Sequence, residues 1–196
     1  MIWAMVLAAG ESRRMGKPKL LLPFKGKTII EAVVESAIRS EVDKVLVVVG
    51  SEREKVEAKI KNFPVEIAYN RDFRSGMLSS IQCGFKALPE NAQAVLVILG
   101  DQPSISSEVI NKIIAAYKKT GRGIVLPVYK KDRGHPVLID TKYRQEIERL
   151  NPNLGLRELV YNRPEDILEV KVRTSGVLRD IDTADDYRNE LEKGKE

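Results

Sequence analysis

Apolar residues are distributed along the chain in two alternating patterns. Short unbroken runs rich in β-branched residues occur at Ile2–Ala8, Lys44–Val49, Val65–Tyr69 and Ala94–Leu99, bounded by glycine, proline or charged residues. Runs of this kind predict buried strands. Between them, from Ile29 to about Arg39, over Glu52–Lys61, over Met77–Ala87 and from Ser106 to about Tyr117, apolar residues fall at helical spacing. Thr28 stands as the N-cap of the first helix with Glu31 at the capping-box position, and Leu20–Phe24 reads as a short apolar connector before it. Strands alternating with helices at this rhythm predict a Rossmann-like three-layer α/β/α fold with a mostly parallel sheet, in a single domain spanning 1–196. Ligands of such sheets sit at the carboxyl ends of the strands.

The second half is less regular. Gly123–Tyr129 and His135–Ile139 are strand-like, and the charged turn Lys130–Gly134 between them permits a hairpin and hence an antiparallel element. Residues 141–150 and 155–161 look helical and Ile167–Val172 extended. Thr183 caps a last helix with Asp185 and Asp186 in its first turn. The polar tail Lys193–Glu196 is expected to fray. No repeat, low-complexity tract or linker interrupts the pattern.

Composition narrows the class. A chain of 196 residues, 43% hydrophobic and 31% charged, is long enough for one full core and ordinary for a soluble globular protein. The net charge of +5 suits a phosphate-bearing ligand, but acidic residues are interleaved with the basic ones, which argues against a nucleic-acid stripe. A single cysteine, Cys83, excludes an internal disulfide and a multi-cysteine zinc site and fits a reducing compartment. The lone histidine, His135, closes off His-rich metal sites. No apolar run approaches the roughly 20 residues of a membrane span, and the opening MIWAMVLAAG lacks the basic region of a signal peptide. It reads as the first strand of a cytoplasmic protein.

The candidate chemistry begins where that strand ends. In VLAAGESRRMGKPK, Val6 to Lys19, the small residues Ala9 and Gly10 let backbone amides approach a ligand, and Arg13, Arg14, Lys17 and Lys19 follow within nine positions. Gly16 and Pro18 are expected to hold this loop out of helical geometry. The spacing fits neither a Walker A loop nor the GxGxxG turn, yet bare amides beside four cations suit an anion and read as a phosphate cradle.

Asp101, in a Gly-Asp-Gln-Pro turn at the end of a buried strand, is suited to Mg²⁺, which takes one or two carboxylates and completes its shell with water and phosphate; a turn-former or cap is the plainer role. Asp180 and Asp182 are expected to face opposite ways, so that one of them shares an ion with Asp101. Asp182, beside the capping Thr183, is the choice, with support of the last helix as its alternative. Asn70–Ser80 sets Gly76 before a helix start carrying two hydroxyls, fit for a base edge or a phosphate oxygen, or for an ordinary loop and cap. His135 reads as structural or as shaping the pocket of an acceptor phosphate, and Cys83 as core.

Taken together, LAAGESRRMGKPK (Leu7–Lys19), NRDFRSGMLSS (Asn70–Ser80), LGDQP (Leu99–Pro103), RGHP (Arg133–Pro136) and RDIDTADDY (Arg179–Tyr187) resemble, in order and over nearly the whole chain, the MobA-like nucleotidyltransferases, nearest to the molybdenum cofactor cytidylyltransferases. The resemblance implies a glycosyltransferase-A-type sheet and transfer of a nucleotidyl group from an NTP with release of pyrophosphate. Carried over residue by residue, Ala8, Ala9 and Gly10 would lie against the nucleotide, Arg14 and Lys19 would hold the triphosphate, and Gly76 and Ser80 would help contain the base. Asp101 would bind Mg²⁺, with Asp182 at the second metal-side position. The guanylyl branch tends to carry a glycine where this chain has Ala9 and another where it has Lys17, which favours CTP over GTP. The implied partners are an NTP, a phosphorylated small-molecule acceptor such as molybdopterin, and a molybdoenzyme to receive the product. The alternatives are a sugar- or alditol-phosphate nucleotidyltransferase and a non-catalytic nucleotide-binding chaperone for a cofactor.

Overall fold

The computed structural model describes residues 1–193; the part of the expected tail beyond Lys193 lies outside them. Strand β1 (Ile2–Ala8) is the centre of the molecule. It pairs in parallel with β4 (Lys44–Val49) on one side and with β6 (Ala94–Leu99) on the other. Its side chains alternate: Ile2, Ala4, Val6 and Ala8 enter one core, Trp3 and Met5 the other. An unbroken apolar run is what a strand with both faces covered requires.

The first core is closed by α1 (Ile29–Ile38), α2 (Arg53–Ile60), α4 (Ser107–Thr120) and side chains of α7 (Ala184–Glu192). The second is closed by α3 (Met77–Ala87), α5 (Arg144–Ile147) and α6 (Leu156–Asn162). The outcome is the expected α/β/α arrangement. The sheet runs β10-β7-β9-β6-β1-β4-β5, with β5 at Glu66–Tyr69, β7 at Ile124–Tyr129, β9 at Val137–Asp140 and β10 at Ile167–Lys171; the two-residue β8 (Asp132–Arg133) pairs with β7. Strand β9 is antiparallel to both β6 and β7, so the antiparallel element permitted by the 130–134 turn lies inside the sheet. After β1 the chain crosses to β4 and later returns to β6 on the opposite side, which places a topological switch point at the carboxyl ends of β1 and β6.

Several boundaries differ from the sequence pattern for local reasons. The helix expected to end near Tyr117 runs to Thr120, where Gly121, at φ 67°, donates its N–H to the Tyr117 carbonyl and stops it. Ser106 holds the N-cap position without capping through its side chain. The connector at 20–24 becomes a 3₁₀ turn (Lys19–Leu21) and a small hairpin of β2 (Pro23–Phe24) and β3 (Lys27–Thr28), turned by Lys25 and Gly26 at φ 48° and 81°. The cradle loop takes one 3₁₀ turn at Arg13–Met15 before Gly16, at φ 64°, ends it. Of 141–150, only Arg144–Ile147 is α-helical, preceded by a 3₁₀ turn at Thr141–Tyr143. Among the described residues no helix is long and apolar enough to cross a membrane.

Candidate active site

A cleft of about 550 Å³ opens over the switch point. Its floor depends on two glycines. A Cβ at Gly50, at the end of β4, would stand 2.6 Å from the Ala9 carbonyl oxygen, and one at Gly100, at the end of β6, 2.6 Å from that of Leu7. The strand ends therefore close on the cradle only because side chains are absent there. Ala9 and Gly10 line the cleft, whereas Ala8 is buried beneath it as the last residue of β1. The loop is closed by Ser12, which adopts the left-handed conformation (φ 52°) and accepts the Lys19 backbone N–H on its Oγ at 3.1 Å.

Lys19 carries the charge of this loop into the cleft. Its ammonium lies between Asp101 Oδ2, at 2.5 Å, and Asp182 Oδ1, at 2.9 Å, with its side chain 13% exposed. Burial pushes this amine down, but the two carboxylates push it up, and the net displacement is upward. Arg14 pairs with the other oxygen of Asp182 at 2.7 Å and remains mostly exposed. Arg14, Lys19, Asp101 and Asp182, spread over most of the sequence, thus meet in one group. The expectation placed both cations on a triphosphate; in this structure they hold carboxylates.

The expected opposite orientation of Asp180 and Asp182 is corrected. Residues two apart on an extended segment share a face, and here Ile181 turns into the core while Asp180 and Asp182 both line the cleft. The Ile181 N–H donates to the Asp101 carbonyl at 3.1 Å, which ties this segment to the turn after β6. Burial and the neighbouring Asp101 charge raise the Asp180 carboxyl, against a 2.5 Å hydrogen bond from Gln102 Nε2 and the pull of Lys19. Gln102 is itself buried, and its Oε1 has no partner among the described residues.

The opposite wall comes from α3 and the loop before it. Gly76 and Ser80 line the cleft together with Phe73, Arg74 and Met77. The Ser80 hydroxyl accepts from Asn70 Nδ2 at 3.0 Å, and the same amide reaches Ser79 at 2.9 Å. Buried Asn70 thus fixes the helix start from below. Glu11 pairs with Arg13 at 2.7 Å and with Arg74 at 3.5 Å, bridging the cradle to this wall. His135 is not among the lining residues. Its N–H donates to the Val177 carbonyl at 2.9 Å before a cis bond to Pro136, and burial lowers its imidazole against the pull of Asp101. Cys83 packs against the second core, as expected.

Sequence reasoning passed over Glu11, Ser12, Phe73, Arg74 and Met77 as site residues, and set Asp180 aside. Asp180 was within reach, because the same-face rule places it beside Asp182. The Glu11–Arg74 bridge joins two loops, and only the fold brings them together.

The donor set fits a hard divalent cation. Oxygens from two carboxylates on distant segments converge on one positive point, the Lys19 ammonium. Among the described residues no group of three or more His, Cys, Asp or Glu could hold a metal; an ion held by this pair would complete its shell with water and phosphate.

Residues 4–167 match the MobA-like NTP transferase domain. The chain is 29% identical over 198 residues, covering 94% of it and 93% of the relative, to nicotine blue oxidoreductase of Paenarthrobacter nicotinovorans. It is 26% identical over 184 residues, covering 93% and 91%, to molybdenum cofactor cytidylyltransferase of Escherichia coli. The crystal structure of Rv0371c from Mycobacterium tuberculosis matches with a TM-score of 0.88 at 29% identity over 97% of both chains. The manganese complex of that protein matches with 0.83 at 27% identity over 97% of this chain and 98% of that one. With the domain matched over most of its length, this chain belongs to the MobA-like NTP transferase family, a family of nucleotidyltransferases.

Proposed function

We propose that the chain transfers CMP from CTP to a phosphorylated acceptor, molybdopterin, and releases pyrophosphate. The observation that carries the proposal is the meeting of Lys19, Arg14, Asp101 and Asp182 in a cleft over the switch point. An acceptor phosphate oxygen forms a bond to the α-phosphorus as the bond to the β-phosphate oxygen breaks, and the electron pair leaves with pyrophosphate. Nucleophile and leaving group are both anions, so repulsion is a large part of the barrier, and positioning with electrostatics does most of the work.

The residues divide that work. Lys19 and Arg14 offset charge on the phosphates, and the amides after Ala8 and Ala9 approach them without side-chain obstruction. Gly76 and Ser80 confine the base, with Asn70 holding Ser80 in place. Asp101 and Asp182 would hold Mg²⁺, which when bound neutralises phosphate charge and polarises the reacting P–O bonds. A phosphomonoester acceptor is already ionised near neutral pH, so its attack needs no general base. His135, which does not line the cleft but feels the charge of Asp101, is assigned to the acceptor side on the sequence alone. The preference for cytidine rests on Ala9 and Lys17, and the E. coli relative named as a cytidylyltransferase supports it.

The test is a pyrophosphate-release assay with CTP, GTP, ATP and UTP against molybdopterin and a panel of sugar and alditol phosphates, with and without Mg²⁺. Release with CTP and molybdopterin alone is expected. Release only with a sugar phosphate would move the assignment to that class of acceptor, and binding of nucleotide without release from any pair would leave a non-catalytic binder.

A further inference from the structure

In the free cleft Asp101 and Asp182 face Lys19 and Arg14, and over the whole lining the carboxylates of Glu11, Asp101, Asp180 and Asp182 stand against the cations of Arg13, Arg14, Lys19 and Arg74, so the group is close to neutral. The oxygens suited to a divalent ion are those that grip the Lys19 ammonium. An ion arriving alone must displace that ammonium and add two charges to a group that still contains both cations. An ion arriving with a triphosphate brings its own surplus of negative charge, and the displaced ammonium then has phosphate oxygens to pair with.

The chain around Lys19 is built for such an exchange. Its backbone is fixed by the Ser12 Oγ bond on its own N–H, by Pro18 before it, and by the buried Leu20 after it. The ammonium, by contrast, sits at the end of a flexible four-carbon stem with freely turning donors. The stem can swing the ammonium off the carboxylates into the cleft, which Gly10, Ser12 and Arg13 of the same loop also line.

From this geometry we infer that Lys19 is a built-in competitor for the divalent cation: it occupies the seat between Asp101 and Asp182 in the free protein and gives it up when metal and triphosphate enter together. The inference rests on the proposed nucleotidyltransferase site and concerns its order of loading. Metal and nucleotide binding are then positively coupled, by a factor on the order of 5–150-fold, the usual range for two linked ligands. The uncharged variant Lys19→Met binds metal without needing nucleotide.

The experiment is titration of Mn²⁺ by electron paramagnetic resonance, with no nucleotide, into the wild-type chain, Lys19→Met and Lys19→Arg, each first shown to be folded by near-ultraviolet circular dichroism. Lys19→Gln replaces the methionine variant if that one does not fold. Expected is Mn²⁺ binding at least about tenfold tighter in the uncharged variant than in wild type, abolished again by adding Asp101→Asn, with Lys19→Arg as weak as wild type. Equal or weaker Mn²⁺ binding by the uncharged variant overturns the inference, as does a lack of Mn²⁺ binding by every variant. None of these readings uses CTP or an acceptor. Tighter Mn²⁺ binding in the variant, together with no pyrophosphate release by the wild-type chain from any NTP, would therefore sink the proposed reaction and leave the competitor role standing.

Discussion

Lys19 and Gly50 show what single positions contribute to this cleft. The Lys19 ammonium is the least exposed cation of the central group and belongs to a loop whose backbone is fixed, so its removal deletes a charge that the loop delivers to the cleft. Lys19→Ala is expected to lower kcat/KM for CTP by a factor on the order of a hundred or more, as loss of one donor to transition-state charge does. Steady-state kinetics with CTP checks this, and turnover at the wild-type level would remove Lys19 from the mechanism. Gly50 does not line the cleft, yet a methyl group there would press on the Ala9 carbonyl and on Phe73 Cβ at 2.8 Å, which belong to its two walls. Overpacking against backbone costs about 1–3 kcal/mol. Gly50→Ala should lower the urea midpoint accordingly and raise KM for CTP, and a variant with wild-type stability and KM would show that the cradle yields without cost.

At the scale of elements, the helix starts were legible because their caps are local chemistry. Thr28 with Glu31 and Thr183 with Asp186 form reciprocal capping boxes readable from residues three apart. Thr28→Ala is expected to cost about 1 kcal/mol of stability by thermal or urea unfolding. The small hairpin β2–β3 was not legible, because Lys25 takes a left-handed conformation for which its residue type gives no signal. Nor did sequence show what fastens the segments that lead into β7 and β10. There Asp166 accepts from the Tyr143 hydroxyl at 2.5 Å and from Lys142 at 2.6 Å, close against Gly123. Burial pushes this carboxyl up, but bonds from Lys142, Tyr143 and the Gly123 backbone outweigh it and hold it at about 2, below its ordinary 3.8. A depressed carboxyl contributes stability that is complete above the unfolded value and is lost as pH falls through the folded one. Unfolding free energy should therefore decline between about pH 4 and pH 2, and Asp166→Asn should be less stable near neutrality with a shallower decline in that window. Equal slopes for the two proteins over that range would show that the carboxyl is not held down.

Across the whole molecule, the strand and helix alternation predicted the parallel sheet, and the switch point then predicted where a ligand sits; Ala9, Gly10, Lys19, Gly76, Ser80, Asp101 and Asp182 all reach that place. Sequence set Asp101 and Asp182 side by side; what it could not supply was the cation between them, since only the fold shows that one lysine spans both. The last helix ties together the segments that carry them. Glu190 on α7, 4% exposed, lies 3.0 Å from Arg179 Nε, accepts a hydrogen bond from Arg179 Nη2 at 3.2 Å and accepts another from the Ser104 hydroxyl. Arg179 opens the segment that carries Asp180 and Asp182, and Ser104 belongs to the turn that carries Asp101. The buried carboxylate therefore locks the two acidic segments to one another from behind the cleft. Removing one member of a buried pair costs about 3–5 kcal/mol, and a value near the lower end is expected for Glu190→Ala because Arg179 keeps some access to water. Glu190→Gln preserves the shape and an acceptor oxygen, so it should lose less. If the lock also sets the separation of Asp101 and Asp182, the alanine variant should bind Mn²⁺ in the presence of CTP more weakly than the glutamine variant at temperatures where both are folded. Urea midpoints at the wild-type value in both variants, or identical Mn²⁺ affinities, would mean that α7 covers the sheet without shaping the cleft.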